Sequence, residues 1–316
     1  MSVKVGFAIV SHNHPEQLFR LVRTLNAMFD APPIACNHNF SMCSLQPEIF
    51  PGNVRFVIPH VNARWGHISI PLAALSALRL VRQHGQPDWF VLLSGSDYPV
   101  RPAHEIMHDL STTGYDAFLD HREVRLNSPS PSPAGPVVRH GYERPEWVGE
   151  AYRRYCAYCF CLPWPSPKRL LSGGLPFWKR RVPIRHPGLI RMIERLQPRL
   201  TVCRPPKIFA GDFWFEANRK AIDWLLDPSL EKLVRFYERK HIPDESIFHT
   251  ALCNHTALGI CADNKRYADW TGGGSHPKWL DLSDVPRIIA SGAHFARKFL
   301  PGGRVQDYID RKLLQL

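Results

Sequence analysis

The polar side chains that could do chemistry in this chain stand where its apolar runs stop. Ser11, His12, Asn13 and His14 follow KVGFAIV, and Asn37, His38 and Asn39 close PIACNHN. His60, Asn62, Arg64 and Trp65 come after VRFVIP, and Ser94, Ser96 and Asp97 end DWFVLLSGSD. If these runs are strands of an open α/β sheet, their ends gather at the edge where such sheets hold ligands. Ser, Asn and Asp are also the usual helix N-caps, so each of these residues alone has two readings of equal weight. Asp97 poses the question most sharply. Gly95, Tyr98 and Pro99 mark a tight turn, in which its carboxylate either binds a ligand hydroxyl or caps the next helix and holds the corner.

The elements that position these groups follow from periodicity. Strands are expected at 4–10, around 33–39, and at 54–59, 88–94 and 116–121. PEQLFRLVRTLNAMF reads as an amphipathic helix with Leu18, Val22, Leu25 and Met28 or Phe29 on one side, and SIPLAALSALRLVRQH as a second helix. Alternation of this kind builds a mainly parallel central sheet flanked by helices. From 127 to 205 the pattern dissolves into Pro-rich SPSPSPAGP and CLPWPSPKRLL, with one helical stretch, PGLIRMIERL; this is read as an insertion or acceptor-side region. Regular patterning returns in KIFAGDFWFEANRKAIDWLLD, a strand leading into a helix, and in IPDESIFHTALCN. There Pro243 suits a first helical turn, where Asp244 and Glu245 would complement the helix dipole. TGGGSHP (271–277) lacks the strand-to-helix setting of a phosphate loop and reads as a pocket loop.

With 316 residues and 44% hydrophobic content the chain can bury a substantial core. Its 40 Lys and Arg against 28 Asp and Glu give a net charge of +12, which favours nucleotides, phosphorylated sugars, nucleic acid or an acidic membrane surface as partners. The basic residues are scattered without an RNA-binding signature, so no specific nucleic acid is expected. A non-catalytic polyanion binder is the competing class, and steep salt dependence would distinguish it. No run approaches the roughly 18 apolar residues of a membrane span, and the N-terminus reads as a strand, not a signal peptide. The cytoplasm is the expected location, with the inner face of the membrane open to peripheral association. Eight cysteines then read as reduced thiols, and Cys156, Cys159 and Cys161 of CAYCFC lack a second pair at zinc spacing.

The order of these segments resembles the core-2/I-branching β-1,6-N-acetylglucosaminyltransferases, with their peptide xylosyltransferase and plant glucuronosyltransferase relatives. The resemblance runs through AIVSHNHPEQLFRLVRTL, ARWGHISIPLAAL, FVLLSGSDYPVRP, FAGDFWFEANRKAIDWLL, IPDESIFHTAL and HFARKF. It implies one GT-A-type glycosyltransferase domain over 1–316, with a nucleotide-sugar-binding half in 1–125 and a catalytic and diphosphate-binding half in 206–316. The implied reaction is inverting, from an α-linked UDP sugar to a β-linked glycan. UDP-GlcNAc is the favoured donor, and UDP-xylose and UDP-glucuronate are the alternatives.

The resemblance also assigns roles. Inversion needs one carboxylate to take the acceptor hydroxyl's proton, and the matching residue is Glu245. No Asp-x-Asp occurs in the sequence, so no metal cofactor is expected. Lys298 matches the lysine that meets the leaving diphosphate, with Arg297 beside it and Lys278 the nearest stand-in for a second basic contact. Asn39 falls where relatives carry an aspartate near the uridine. Ser11, His12, Trp65, Ser96, Asp97, Gly211, Asp212, Trp214 and Asp244 complete the expected donor and acceptor pocket, with Trp65 and Trp214 offering flat faces to sugar C–H groups.

Overall fold

A seven-stranded sheet forms the centre of the chain. The computed structural model describes residues 3–125, 147–156, 159–165, 177–183, 192, 205–238, 240–271 and 276–316. β1 (Val5–Ser11), β2 (Ile34–His38), β3 (Val54–Phe56) and β4 (Trp89–Ser94) are parallel neighbours. After β4 the chain turns at once into β5 (Asp97–Pro99), then supplies β6 (Ala117–Leu119) and the short β7 (Arg122–Glu123). An antiparallel pair, β8 (Cys159–Pro165) and β9 (Phe177–Pro183), precedes β10 (Phe209–Ala210), which pairs with β7. β11 (Phe215–Asn218) enters the sheet antiparallel between β4 and β6, and β12 (Ile260–Cys261) completes it beside β6. The order is β12-β6-β11-β4-β1-β2-β3, with β11 alone running against the rest. β13 (Arg266–Ala268) and β14 (Phe295–Arg297) join β5 in a separate three-stranded sheet.

Alternation along β1 and β4 sorts the core. Phe7, Ile9, Val91 and Leu93 point to one face, against Leu18, Leu21, Val22 and Leu25 of helix α1 (Pro15–Phe29). Ala8, Phe90 and Leu92 point to the other, against Ala74, Ala77, Leu78 and Val81 of helix α2 (Ser69–Gly85). Strands covered on both faces need the near-continuous apolar runs seen here. The expected strand 54–59 stops at Phe56, because Pro59 has no N–H for a ladder.

Part of the Pro-rich region is regular. CFCLPWP forms β8, and WVGEAYRRYC is helical over Trp147–Cys156. A two-stranded ribbon has free edges on both sides, where proline costs no hydrogen bond. SPSPSPAGP, PGLIRMIERL apart from Met192, and residues 272–275 of the glycine-rich loop lie outside the described residues. Among the described residues no helix is long and apolar enough to cross a membrane.

A buried ionic network locks the two sheets together. Arg266 on β13 donates to Glu216 on β11 at 2.8 Å and to the Leu92 carbonyl of β4 at 3.0 Å, and both charged side chains have no exposed surface. The second Glu216 oxygen meets His294 Nδ1 at 2.8 Å, and His294 Nε2 stands 3.2 Å from Asp109 of helix α3 (Ala103–Thr112). Burial pushes the Glu216 pKa up, but His294 and Arg266 outweigh it and hold the carboxylate below its usual range. Its stabilising effect is therefore present above the unfolded pKa and lost as pH falls through the folded value. Glu216→Gln leaves Arg266 without its countercharge and should cost about 3–5 kcal/mol by urea denaturation at pH 7; a loss below about 1 kcal/mol would show that the network is not what joins the sheets.

Candidate active site

Every strand end that faces this chemistry lies on one edge of the large sheet. β1, β2, β4, β6 and β12 deliver their carboxyl ends there, and β11, running the other way, delivers its start. Residues 94–97, 11–14, 37–39 and 211–214 are thereby brought together, along with the end of β14 through its pairing with β5.

Arg297 ends β14, and Lys298 follows it directly. Arg297 pairs in register with Asp97, and its guanidinium lies 4.5 Å from the centre of the Trp214 ring. Its Nε is 3.4 Å from Asp97 Oδ1, a charge contact without hydrogen-bond alignment. The Lys298 ammonium rests 5.6 Å from the Trp279 ring, and no carboxylate among the described residues stands at ion-pair distance from it. Burial, then the neighbouring Arg297 charge, push the Lys298 pKa down to about 8, against a smaller upward pull from Asp97. His12 and His276 are likewise held below the ordinary imidazole value, first by burial and next by the charge of Lys298. Lys298 and Arg297 thus bring two positive charges together beside imidazoles whose protonation they oppose, which makes the local potential favourable to an anion.

Asp97 answers the question the sequence posed. It is fully buried, accepts from the Ser94 amide at 3.0 Å and takes the Ser94 hydroxyl as a further donor, so it holds the corner between the sheets. It caps no helix: the N-cap of α3 is Pro102, without a side-chain bond. Ser96 is fixed by its amide to Ser94 Oγ at 3.2 Å, and its carbonyl accepts from the Phe299 amide at 3.0 Å, which ties the corner to the strand that carries Lys298.

Other expected pocket residues are occupied with structure. Ser11 is buried and bonds His38 Nδ1 at 2.8 Å; because His38 Nε2 donates to the Cys43 carbonyl, Nδ1 accepts. Asn39 has no exposed surface, donating to Asn62 Oδ1 and the Ala63 carbonyl while accepting from the Ser41 amide. It organises the loop where a uridine contact was expected. Lys278 is committed as well, since Asp284 holds its ammonium at 2.9 Å and Asp281 at 3.2 Å. Trp214 is buried with its face under Arg297, whereas Trp65 is 66% exposed and touches His241 edge-on.

Glu245 sits in a 3-10 turn, Pro243–Glu245, set off from the helix Ile247–Cys253. The expected continuous helix breaks because the buried Ser246 hydroxyl donates to the Phe209 carbonyl at 2.6 Å, drawing its backbone to φ −148. The Glu245 carbonyl accepts from Gly211 at 3.0 Å, and its Oε2 accepts from Arg154 Nη1 at 3.0 Å. A Cβ at Gly211 would collide with the Asp120 carbonyl, so only glycine allows this close crossing. From Gly211 the chain runs through Asp212 and Phe213 to Trp214 beneath Arg297, so one short segment spans from the acid to the cations. Asp212 accepts from Asn264 at 3.0 Å. Asp244 is pushed up to about 6 by burial, with Asp212 adding repulsion, and its buried Oδ1 has no hydrogen-bond partner. Among the described residues no group of three or more His, Cys, Asp or Glu side chains is placed to hold a metal ion.

Arg154 was missed from sequence because it falls in the irregular-looking region. Its available signal was Glu150 four residues earlier, the helical ion-pair spacing, and the two do bond at 3.1 Å.

A β-glucuronosyltransferase, GlcAT14B of Arabidopsis thaliana, is 26% identical over 246 residues, covering 76% of this chain and 47% of that protein. Xylosyltransferase 1 of Canis lupus familiaris is 23% identical over 274 residues, covering 78% of this chain and 23% of that protein, and human xylosyltransferase 2 is 23% identical over 272 residues. The chain thus spans about half the length, or less, of the curated relatives it matches. The model of the Core-2/I-Branching enzyme family matches residues 49–127 and 186–290. With that match across most of its length, and with the mainly parallel, helix-flanked sheet of a GT-A-type fold, the chain belongs to the Core-2/I-Branching enzyme family.

Proposed function

We propose that the chain is an inverting, metal-independent glycosyltransferase that moves a sugar from a UDP donor to a glycan hydroxyl, with Glu245 as base and Lys298 and Arg297 facing the leaving diphosphate. The observation that carries this reading is the half-buried Lys298 ammonium, without a countercharge among the described residues, on the sheet edge to which Gly211 ties Glu245. In the reaction the acceptor O–H bond breaks and its proton passes to Glu245 while the oxygen bonds to the anomeric carbon. The bond from that carbon to the phosphate oxygen breaks on the opposite face, and the electron pair leaves with UDP. Lys298 and Arg297 neutralise the charge that grows there, the part a metal ion plays in sites built on Asp-x-Asp.

UDP-GlcNAc is the first donor in this proposal, on the resemblance of the motifs to the acetylglucosaminyl branch. A second reading exchanges it for UDP-glucuronate or UDP-xylose, and the names of the similar proteins favour that reading. Arg297 takes the second basic contact in place of Lys278. His12, Trp65, Ser96, Asp212 and Asp244 are proposed to line the sugar sites. A thermal-shift series with the three donors and UDP-glucose selects among them.

Glu245→Gln should lower transfer about 100-fold or more while leaving the UDP Kd within about twofold by calorimetry; near-normal turnover would remove Glu245 as the base. A bound diphosphate stabilises the charged form of Lys298, so UDP affinity should fall as pH rises through about 8. Lys298→Ala should weaken UDP about tenfold or more and flatten that dependence; an unchanged Kd or profile would refute the assignment. EDTA should leave transfer intact, and activity lost to chelation and restored by a divalent ion would overturn the metal-free account.

A further inference from the structure

The turn that carries Glu245 is held from outside by two adjacent side chains of the helical segment Trp147–Cys156. Arg154 Nη1 donates to Glu245 Oε2 at 3.0 Å, and Arg154 Nη2 donates to Glu150 Oε2 at 3.1 Å. Tyr155, with 1% of its surface exposed, donates its hydroxyl to the Ile242 carbonyl at 2.7 Å. Ile242 stands at φ 53, in the left-handed region that a β-branched residue strongly resists. Such a conformation persists only where its surroundings enforce it. Here the Gly66 carbonyl accepts from the Ile242 amide at 3.1 Å on one side, and Tyr155 holds the Ile242 carbonyl on the other.

We infer that Arg154 and Tyr155 are positioning residues for the base, Arg154 fixing the Glu245 carboxylate and Tyr155 the backbone turn beneath it. This rests on Glu245 being the base and adds what makes it competent. A carboxylate on a short surface turn samples several rotamers, and only one directs it at an acceptor hydroxyl. A guanidinium with its own second anchor at Glu150 selects among them and favours the ionised form that accepts a proton. Among the described residues facing Glu245 are Arg154 from this segment, with Glu150 behind it, Asp244 from its own turn and Tyr155 from below.

The test compares wild type, Arg154→Ala, Arg154→Lys, Tyr155→Phe and Glu245→Gln. Expected for Arg154→Ala is a fall in kcat of about 10–100-fold with KM for the UDP sugar unchanged within about twofold. The acid limb of its rate profile should move to higher pH, and the Glu245 carboxyl carbon, assigned in 13C-glutamate spectra by its absence in Glu245→Gln, should titrate at higher pH to match. Arg154→Lys, keeping the charge, should restore most of the titration and only part of the rate. Tyr155→Phe should lower kcat without moving the titration. If Arg154→Ala does not fold, Arg154→Lys and Tyr155→Phe still carry the comparison. Wild-type kcat and titration in the Arg154 variants, with Glu245→Gln inactive, would overturn the positioning role alone. An active Glu245→Gln would instead remove the base itself.

Discussion

The relation between the two halves of the proposed reaction depends on one buried carboxylate. Glu216 lies in the large sheet, and its two oxygens are gripped by Arg266, the first residue of β13 in the small sheet, and by His294, just before β14, the strand that Lys298 follows. Glu245 is tied to the large-sheet side through Gly211. If the sheets slid past each other by a fraction of a residue, base and cations would lose register, although each retained its own local bonds. A wholly apolar contact would permit such sliding, since packing is non-directional. A buried ion pair with additional hydrogen bonds has one favourable arrangement, and departure from it exposes an unpaired charge to a low dielectric.

The same logic explains why so many polar residues of the sheet edge are bonded within the protein. Asp97, Ser94, Ser11, His38 and Asn39 satisfy one another or nearby backbone. An edge where strands end has unpaired amides and carbonyls, and these must be paired before any ligand arrives. The charge left over is that of Lys298, with Arg297 beside it, while burial and Lys298 together oppose protonation of His12 and His276. In the proposed reaction the leaving diphosphate would offset these charges together, so its position would be set by what surrounds it as much as by what touches it.

The parallel half was readable because each of its elements satisfies a local rule. α1 runs from Pro15 to Phe29, as its apolar spacing and its first-turn proline predict, and β4 covers residues 89–94 of the most apolar run. The roles expected of Glu245 and Lys298 came from the order of the motifs, because an acid after a proline is equally an ordinary first-turn acid and a lysine after a strand an ordinary solvated charge. Sequence could not show that Asp97 turns inward, because a corner and a pocket use the same residue types. Nor could it show Lys278 paired, since Asp281 and Asp284 lie three and six residues away and their hold on its ammonium depends on the Asp281–Asp284 capping box. Arg154 acts across 91 residues of chain, a separation that no local pattern encodes.

The break at Ser246 gives the base its particular character. Within a continuous helix Glu245 would share the helix's motion, and a side chain in the first turn would be steered by the dipole. Instead Ser246 is pulled into the core by Phe209 and Tyr237, which lifts Pro243–Glu245 out as a separate turn. That turn is pinned by backbone bonds at Gly66 and Gly211 and by the side chains of Tyr155 and Arg154. Four restraints on three or four residues are more than a surface turn requires for stability alone. In the proposed reaction they would keep the Glu245 carboxylate in place, because the rate of in-line attack falls steeply with small displacements of the group that receives the proton.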